Sequence, residues 1–273
     1  MGADSGQRRP AEEETPRGND FRGLNVTLVQ YRSAEGSRSI DVQVTNTRSV
    51  AIRVTAVRLY WPGFTDQPAT PKDTTFAVGQ TIDLDTTYGT ARCDADLGAA
   101  PFVVLTIDGA GAQRVELDGH GKALLRRLQA HECYLERVAE VASIELGPSF
   151  RTVFVRTREY LAGSLLVTRP PSSADGRHVA LGVTGLSGSV LVDFSAAGVK
   201  LPVILRPAGD TLRIPVVIGS SGRCDAHARA ESKQTFSFGV FVRLPGEPVQ
   251  RVIVSPDRST QARSLALIDR ACG

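Results

Sequence analysis

Hydrophobic and polar residues alternate along much of the chain, which is the pattern of half-buried β-strands. Near the start, Leu24, Val26 and Leu28 are separated by Asn25 and Thr27. Similar alternation recurs in later segments, among them IDVQVT, SLLVTRP, HVALGVTG, SVLVDF and LPVILRP. Turns rich in glycine and proline separate these short segments. The chain is therefore predicted to be mainly β and to form immunoglobulin-like β-sandwiches.

The alternation shifts register once in the first half of the chain. Residues 50–54 alternate, but the pattern resumes out of step at Val57 and Leu59. One extra residue in a strand produces such a shift, so a β-bulge is predicted near Ala56.

Two stretches depart from the strand pattern and predict short helices. Between Lys122 and Val138, leucines recur at helical spacing, at Leu124, Leu128 and Leu135. The stretch TQARSLALIDRAC near the end of the sequence has a similar pattern.

The order of these segments repeats along the chain. GQTIDLDTTYG at residues 79–89 aligns with GDTLRIPVVIG at residues 209–219, and each leads into Arg-Cys-Asp-Ala. In both halves, two strand-like segments and then a helical segment with a cysteine follow. The repeat predicts two tandem β-sandwiches, at residues 24–138 and 139–273, each with a short helix near its end.

The cysteines suggest where the protein resides. Four cysteines permit three pairings, and the repeat favours Cys93 with Cys133 and Cys224 with Cys272, because each unit then closes its own loop. On the chain-entropy model, loops of about 40 and 48 residues would each add roughly 4 kcal/mol of stability. Disulfides persist in oxidising compartments, so the protein is predicted to be extracytoplasmic, either secreted or lipid-anchored.

Composition and charge exclude several classes of protein. Hydrophobic residues make up 41% of the 273 residues, which suffices for a substantial core. The net charge of +3 gives no reason to expect binding to nucleic acid, and no apolar run reaches the roughly 20 residues of a transmembrane helix. Residues 1–23 are polar and lack the apolar segment of a signal peptide. We expect them to form a flexible leader, with the export signal not present in this chain.

The arrangement of motifs resembles that of a known group of proteins. The order is a TIDL strand, Arg-Cys-Asp, an LTIDG strand, the helix LLRRLQAHEC, and a second unit with Arg-Cys-Asp-Ala-His and a final cysteine. It is similar to uncharacterised actinobacterial exported proteins, many of which resemble lipoproteins. The resemblance covers nearly all of the chain after the leader and implies the fold and an envelope location. It implies no activity.

The segment LYWPGF offers the best candidate for a binding site. Tyr60, Trp61 and Phe64 end a predicted strand at a Pro-Gly turn, and exposed rings there would form a patch for a protein or a glycan. The alternative is that the three rings cover the end of the sandwich core.

A weaker candidate lies in the second Arg-Cys-Asp segment. On a strand, Asp225 and His227 would share one face, and with Glu231 or His178 they would offer mixed oxygen and nitrogen ligands to a divalent metal. The alternative is that Arg223 pairs with Asp225 beside the disulfide. No metal site is therefore expected, and these residues remain weak candidates.

The sequence shows no catalytic motif. GLSGS at residues 185–189 misses the G-x-S-x-G register and predicts a tight turn, and GAG at residues 109–111 predicts a hairpin turn. His131 and Glu132 lack the spacing of a zinc protease. We therefore expect a non-enzymatic, cofactor-free binding or scaffold protein of the cell envelope with a protein or glycan partner. The alternative is a metal- or small-ligand-handling protein that uses Asp225 and His227.

Overall fold

The computed structural model describes residues 23–170 and 179–273, so residues 1–22 of the expected leader lie outside it. The protein is mainly β, with 44% strand and 19% helix, arranged in several antiparallel sheets. This confirms the fold class expected from the alternation. The chain divides into two compact units, one ending at Arg127 and the other running from Leu128 to Gly273.

The first unit contains seven strands in its described residues. They are β1 (Leu24–Val29), β2 (Ser39–Asn46), β3 (Ile52–Tyr60), β4 (Thr70–Phe76), β5 (Thr81–Thr87), β6 (Phe102–Ile107) and β7 (Gly111–Glu116), with a 3-10 turn at Arg32–Ala34. The strands form two antiparallel sheets with the orders β1-β2-β5 and β4-β3-β6-β7.

The alternation of the sequence is realised in these strands. In β2, Ile40, Val42 and Val44 are fully buried, and the residues between them are half-buried. In β3 the pairing with both β4 and β6 shifts between Val54 and Ala56, which confirms the predicted bulge. The bulge moves the side chains that follow it to the opposite faces of the sheet, so the strand remains amphipathic along its full length.

Asn46, at the end of β2, is a buried polar residue with a structural role. Its amide nitrogen donates to the carbonyls of Val50, Phe76 and Ala77 at 3.0, 3.3 and 3.2 Å, and its side-chain oxygen accepts from the Arg48 amide at 3.1 Å. All hydrogen-bonding groups of the side chain are thus engaged, which offsets the cost of burying it. Asn46 thereby connects the loop after β2 to the end of β4.

The helix α1 (Gly119–Val141) is longer than the sequence pattern indicates. It begins after Asp118, whose carboxylate accepts from the Gly121 amide at 2.7 Å as an N-cap does. The division between the units falls inside this helix, before the boundary at residue 138 that the sequence suggests. Tyr134 and Val138 accordingly belong to the core of the second unit.

The second unit contains nine strands in its described residues. They are β8 (Ser143–Leu146), β9 (Arg151–Val155), β10 (Arg158–Thr168), β11 (Leu181–Ser187), β12 (Val192–Ala196), β13 (Val203–Leu205), β14 (Thr211–Ser220), β15 (Phe238–Arg243) and β16 (Gln250–Val254). The helices are α2 (Ala226–Glu231) and α3 (Arg258–Cys272). One sheet has the order β12-β14-β10-β8, with β9 also on β10, and the other β13-β11-β15-β16.

The two sheets of the second unit share one core. Phe194 of β12 stacks on Phe238 of β15, with ring centroids 4.9 Å apart, so the inner faces of the two sheets meet. Tyr134 of α1 seals one end, where its hydroxyl donates to the Val242 carbonyl and accepts from the Leu244 amide. Two antiparallel sheets packed face to face across one core form a β-sandwich.

Two local predictions need correction, and one is confirmed. The segment after Cys224 is not a strand but the helix α2, because Asp225 caps a helix there. The stretch at residues 185–189 is not wholly a turn, since its first three residues end β11. The GAG stretch at residues 109–111 is the hairpin turn between β6 and β7, as expected.

All four cysteines are oxidised. Cys224 bonds Cys272, with Cα atoms 5.3 Å apart, and so ties the start of α2 to the end of α3 as the repeat predicts. Cys93 and Cys133 are disulfide-bonded as well, and no cysteine is free. Two disulfides indicate an oxidising, extracytoplasmic environment. None of the helices in the described residues has the length and apolar character needed to cross a membrane.

Candidate functional site

The structure separates the three aromatic residues of LYWPGF. Trp61 and Phe64 are each only 5% exposed, and their rings pack together with centroids 5.6 Å apart. Phe64 also contacts Tyr88, with centroids 4.8 Å apart. Two of the three rings therefore fill the core rather than form an exposed patch, and only Tyr60 remains half-exposed.

A glycine allows this turn to close. A Cβ on Gly63 would lie 2.4 Å from the Trp61 ring, so no larger residue fits without moving the indole. The Gly63 carbonyl accepts from the Arg92 amide at 2.8 Å, and Phe64 forms a β-bridge with Ala91. The turn at residues 61–64 thus fixes the position of Ala91 and Arg92, the two residues before Cys93.

Tyr60 belongs instead to a group of four stacked side chains on the same sheet. Its ring stacks on that of Phe102, directly opposite in β6, with centroids 5.0 Å apart and planes inclined by 15°. The guanidinium of Arg58 lies 4.3 Å from the centre of the Tyr60 ring, and that of Arg114 lies 3.8 Å from the centre of the Phe102 ring. We call Arg58, Tyr60, Phe102 and Arg114 the arginine–aromatic stack.

Strand alternation places the stack on the outer face of its sheet. Val57 and Leu59 are buried, so Arg58 and Tyr60 point away from the core. The same alternation in β6 turns Phe102 outward. The four side chains are half-exposed, so they form part of the surface of the first unit.

The stack presents two pre-positioned cations. Val104 of β6 pairs with Arg58 of β3 on one side and with Arg114 of β7 on the other. Two strand spacings therefore separate the Cα atoms of the two arginines, which is roughly 10 Å. An arginine against an aromatic face keeps its planar fork of N–H donors in one orientation. Glu116 is a nearby acid on β7, and it lies 3.8 Å from the Lys122 ammonium. Such a surface suits a ligand that carries carboxylate, sulfate or phosphate groups.

The weak metal candidate is organised differently from the expectation. Asp225 is the N-cap of α2, where its carboxylate accepts from the Ala228 amide at 2.8 Å. That hydrogen bond, with a smaller contribution from Arg223 at 3.8 Å, lowers the pKa of the Asp225 carboxyl. Because His227 lies within the helix, the two side chains do not share a strand face. The alternative interpretation, an Arg223–Asp225 pair beside the disulfide, agrees with this geometry.

The other potential ligands add nothing to this segment. His178 lies outside the described residues, as does the side chain of Glu231. Among the residues that the structure describes, no three metal-ligating side chains lie together. His131 is half-buried, and its Nδ1 lies 3.1 Å from the Gln250 side-chain oxygen.

Comparisons with known proteins give only distant similarities. No protein-family model and no curated protein matches the chain. A red sea bream transglutaminase structure is 10% identical with a TM-score of 0.23, over 87% of this chain and 32% of that one. An exo-chitosanase of Amycolatopsis orientalis is 12% identical with a TM-score of 0.19, over 85% and 26%.

The chaperone–tip adhesin complex of the Csu pili of Acinetobacter baumannii is 11% identical with a TM-score of 0.19, over 81% of this chain and 93% of that one. The chain thus spans about a third of the length of the transglutaminase and about a quarter of that of the exo-chitosanase. Similarities at these TM-scores support no assignment of activity.

Proposed function

We propose that the protein is a non-enzymatic binding protein of the cell envelope, secreted or lipid-anchored, and that its arginine–aromatic stack binds an acidic glycan. The two disulfides support an extracytoplasmic location. The stack supports the binding role, because it concentrates two aromatic rings and two cations on an outer sheet face. Outer strand positions are more often occupied by solvated polar side chains.

The chemistry of the stack favours an acidic sugar polymer. Guanidinium groups bind carboxylates through paired, charge-assisted hydrogen bonds, and the exposed edges of the two rings offer apolar contact area beside them. Strand β6 separates the strands of the two arginines, so the arginines would contact successive acidic sugars of an extended glycan.

The alternative, a metal- or small-ligand-handling protein, has less support. The carboxylate of Asp225 is engaged by the start of α2, and metal coordination would compete with this cap. We therefore place the binding function in the first unit.

Calorimetric titration of the full chain with an oligogalacturonate tests the proposal. We expect binding to the acidic oligosaccharide and none to a neutral malto-oligosaccharide of equal length. Replacing Arg58 or Arg114 with Gln should weaken binding by about tenfold each, the value of a charge-assisted hydrogen bond. Arg53→Gln is the matched control, because Arg53 lies on the same strand but pairs with Asp73 at 2.8 Å.

Two results would overturn the proposal. One is an Arg58→Gln/Arg114→Gln double variant that binds as tightly as the original chain. The other is equal affinity for the acidic and the neutral oligosaccharide.

A further inference from the structure

The hairpin formed by β9 and β10 carries exposed apolar residues at its tip. Phe154 is 70% exposed, the largest value for any large hydrophobic residue that the structure describes, and Val155 is 57% exposed. The two-residue turn after them consists of Arg156 and Thr157, since Val155 pairs with Arg158. An apolar pair at the end of a projecting hairpin costs solubility, and exposed apolar patches mark binding surfaces.

The turn is also unfavourable in its backbone. Arg156 has a φ of 56°, in the left-handed region where glycine or asparagine is usual. Within the described residues, Arg156 is the single non-glycine residue with a positive φ. The chain therefore has an arginine at a position where glycine or asparagine would cost less backbone strain.

Positive charge surrounds the apolar tip. Arg156 in the turn and Arg158 next to it are exposed, and neither forms an ion pair in the described part of the chain. Glu159 is the one acid of the hairpin, and Arg270 of α3 engages both of its oxygens at 2.7 and 2.9 Å. The pKa of Glu159 is lowered by this pairing, so its charge is matched inside the protein.

The base of the hairpin is fixed to the rest of its unit. Arg263 of α3 donates to the Phe150 carbonyl and to the Thr152 hydroxyl. Together with the Arg270–Glu159 pair, these bonds anchor both strands to one helix. The tip is thus presented on a supported stalk rather than on a free loop.

We propose that this hairpin tip docks on a membrane surface that contains anionic lipids. Phe154 and Val155 would enter the interfacial region, while Arg156 and Arg158 contact lipid phosphates. The combination of an apolar insertion with a basic collar is what interfacial binding requires, because either signal alone gives only weak attachment.

The direction of the two apolar side chains favours a membrane over a protein partner. Neighbouring residues of a strand point to opposite faces, so Phe154 and Val155 leave the hairpin on opposite sides. The flat surface of another protein would cover one of them and leave the other in water. A fluid lipid interface surrounds the tip and covers both.

Flotation of the full chain with lipid vesicles tests the proposal. We expect binding to vesicles of phosphatidylcholine mixed with phosphatidylglycerol, and little binding to phosphatidylcholine alone. The Phe154→Ser/Val155→Ser variant should bind at least about tenfold more weakly. Arg156→Gln and Arg158→Gln should each weaken binding about fivefold.

A matched control comes from another strand of the same unit. Ile204 of β13 is 56% exposed and Arg206 is also exposed, so Ile204→Ser/Arg206→Gln removes the same kinds of side chain elsewhere. This control should bind as the original chain does. The circular dichroism spectrum of each variant verifies that it is folded.

Insertion is measured separately with a Phe154→Trp variant. Its new indole should shift to shorter wavelength with anionic vesicles and be quenched by brominated acyl chains, whereas the buried Trp61 should contribute a constant background. The proposal is overturned if the chain does not bind anionic vesicles, or if the new indole remains in water. The proposal is also overturned if the Phe154→Ser/Val155→Ser variant binds vesicles as well as the original chain does and dextran sulfate displaces the variant from them. Binding would then depend on a basic surface that accepts any polyanion.

Discussion

Arg169 gives a specific prediction about stability, because its guanidinium is buried and has no carboxylate partner among the residues that the structure describes. The residue is 8% exposed and lies just after β10. Its guanidinium donates to the carbonyls of Gly209, Val179 and Arg206 at 2.9, 2.9 and 3.0 Å, and more weakly to that of Val141 at 3.4 Å. One side chain thus contacts three other segments of the chain, namely the turn at residues 206–209, Val179 and the end of α1. Removing its donors leaves these carbonyls to find water or remain unsatisfied.

The cost of that loss follows from the bonds. A hydrogen bond to a charged group contributes about 1.5–3 kcal/mol, so three short bonds correspond to at least about 4.5 kcal/mol. The Arg206 carbonyl retains a bond from the Gly209 amide, which reduces the loss. We therefore expect Arg169→Met, which keeps most of the apolar stem, to lower the free energy of unfolding by about 4 kcal/mol. Arg169→Lys keeps the charge with fewer donors, and we expect about half that effect.

Urea denaturation followed by circular dichroism measures the change. Hydrogen exchange of peptides that cover the end of β10 and the turn before β14 reports the local effect. Arg206→Gln is the control, since the exposed Arg206 side chain should change stability by less than about 0.5 kcal/mol. A loss below about 1 kcal/mol in Arg169→Met would refute the reasoning, because the four carbonyls would then be satisfied without the guanidinium.

Three further predictions concern other parts of the chain. Replacing Cys224 and Cys272 with serine should cost about 4 kcal/mol of unfolding free energy for a 48-residue loop, and a reducing agent should remove the difference from the original chain. Asn46→Leu should lower the unfolding free energy by about 2–3 kcal/mol by leaving buried carbonyls unsatisfied, measured by thermal melting. The hydrogen bond from the Thr260 amide lowers the pKa of the Asp257 carboxyl to about 2, from 3.8. The carboxylate therefore stabilises the fold above about pH 4, and this contribution to the free energy of unfolding is lost as the pH falls through about 2. Urea denaturation across that pH range should show a smaller acid-induced fall in unfolding free energy for Asp257→Asn, which still caps α3. An equally large fall in this variant would contradict the assignment.

The strands could be predicted from the sequence because burial alone sets their pattern. Ile40, Val42 and Val44 alternate with polar residues, and the structure buries all three. The bulge before Ala56 was predictable for the same reason, since it shifts the pattern by one position. These features depend only on neighbours along the chain.

The arginine–aromatic stack could not be predicted, because it depends on pairing between strands. Tyr60 and Phe102 are far apart in sequence and become neighbours only through the register of β3 and β6. Arg114 joins them through the next pairing, with β7. A periodic pattern fixes which side of a strand a residue faces but not which residue lies opposite.

The helix α2 escaped prediction because its signal is too short. The structure shows one clear marker, Asp225, which accepts from the amide of Ala228, three residues on. In the sequence this aspartate stands beside a cysteine and a histidine, which suggested ligand chemistry instead. A cap without a following hydrophobic period is therefore ambiguous.

The two units share part of their strand pairing but not their outer surfaces. In the second unit, β11, β15 and β16 pair as β3, β6 and β7 do in the first, and Phe241 faces outward as Phe102 does. Its partner across the strands is Gly185 rather than a tyrosine, and the Phe241 side chain lies 3.3 Å from the position of a Cβ there. The ring thus fills the space that a second ring would need, so no equivalent stack forms at this position. Ligand binding through the stack would therefore belong to the first unit alone, and the exposed hairpin of β9 and β10 gives the second unit a different surface.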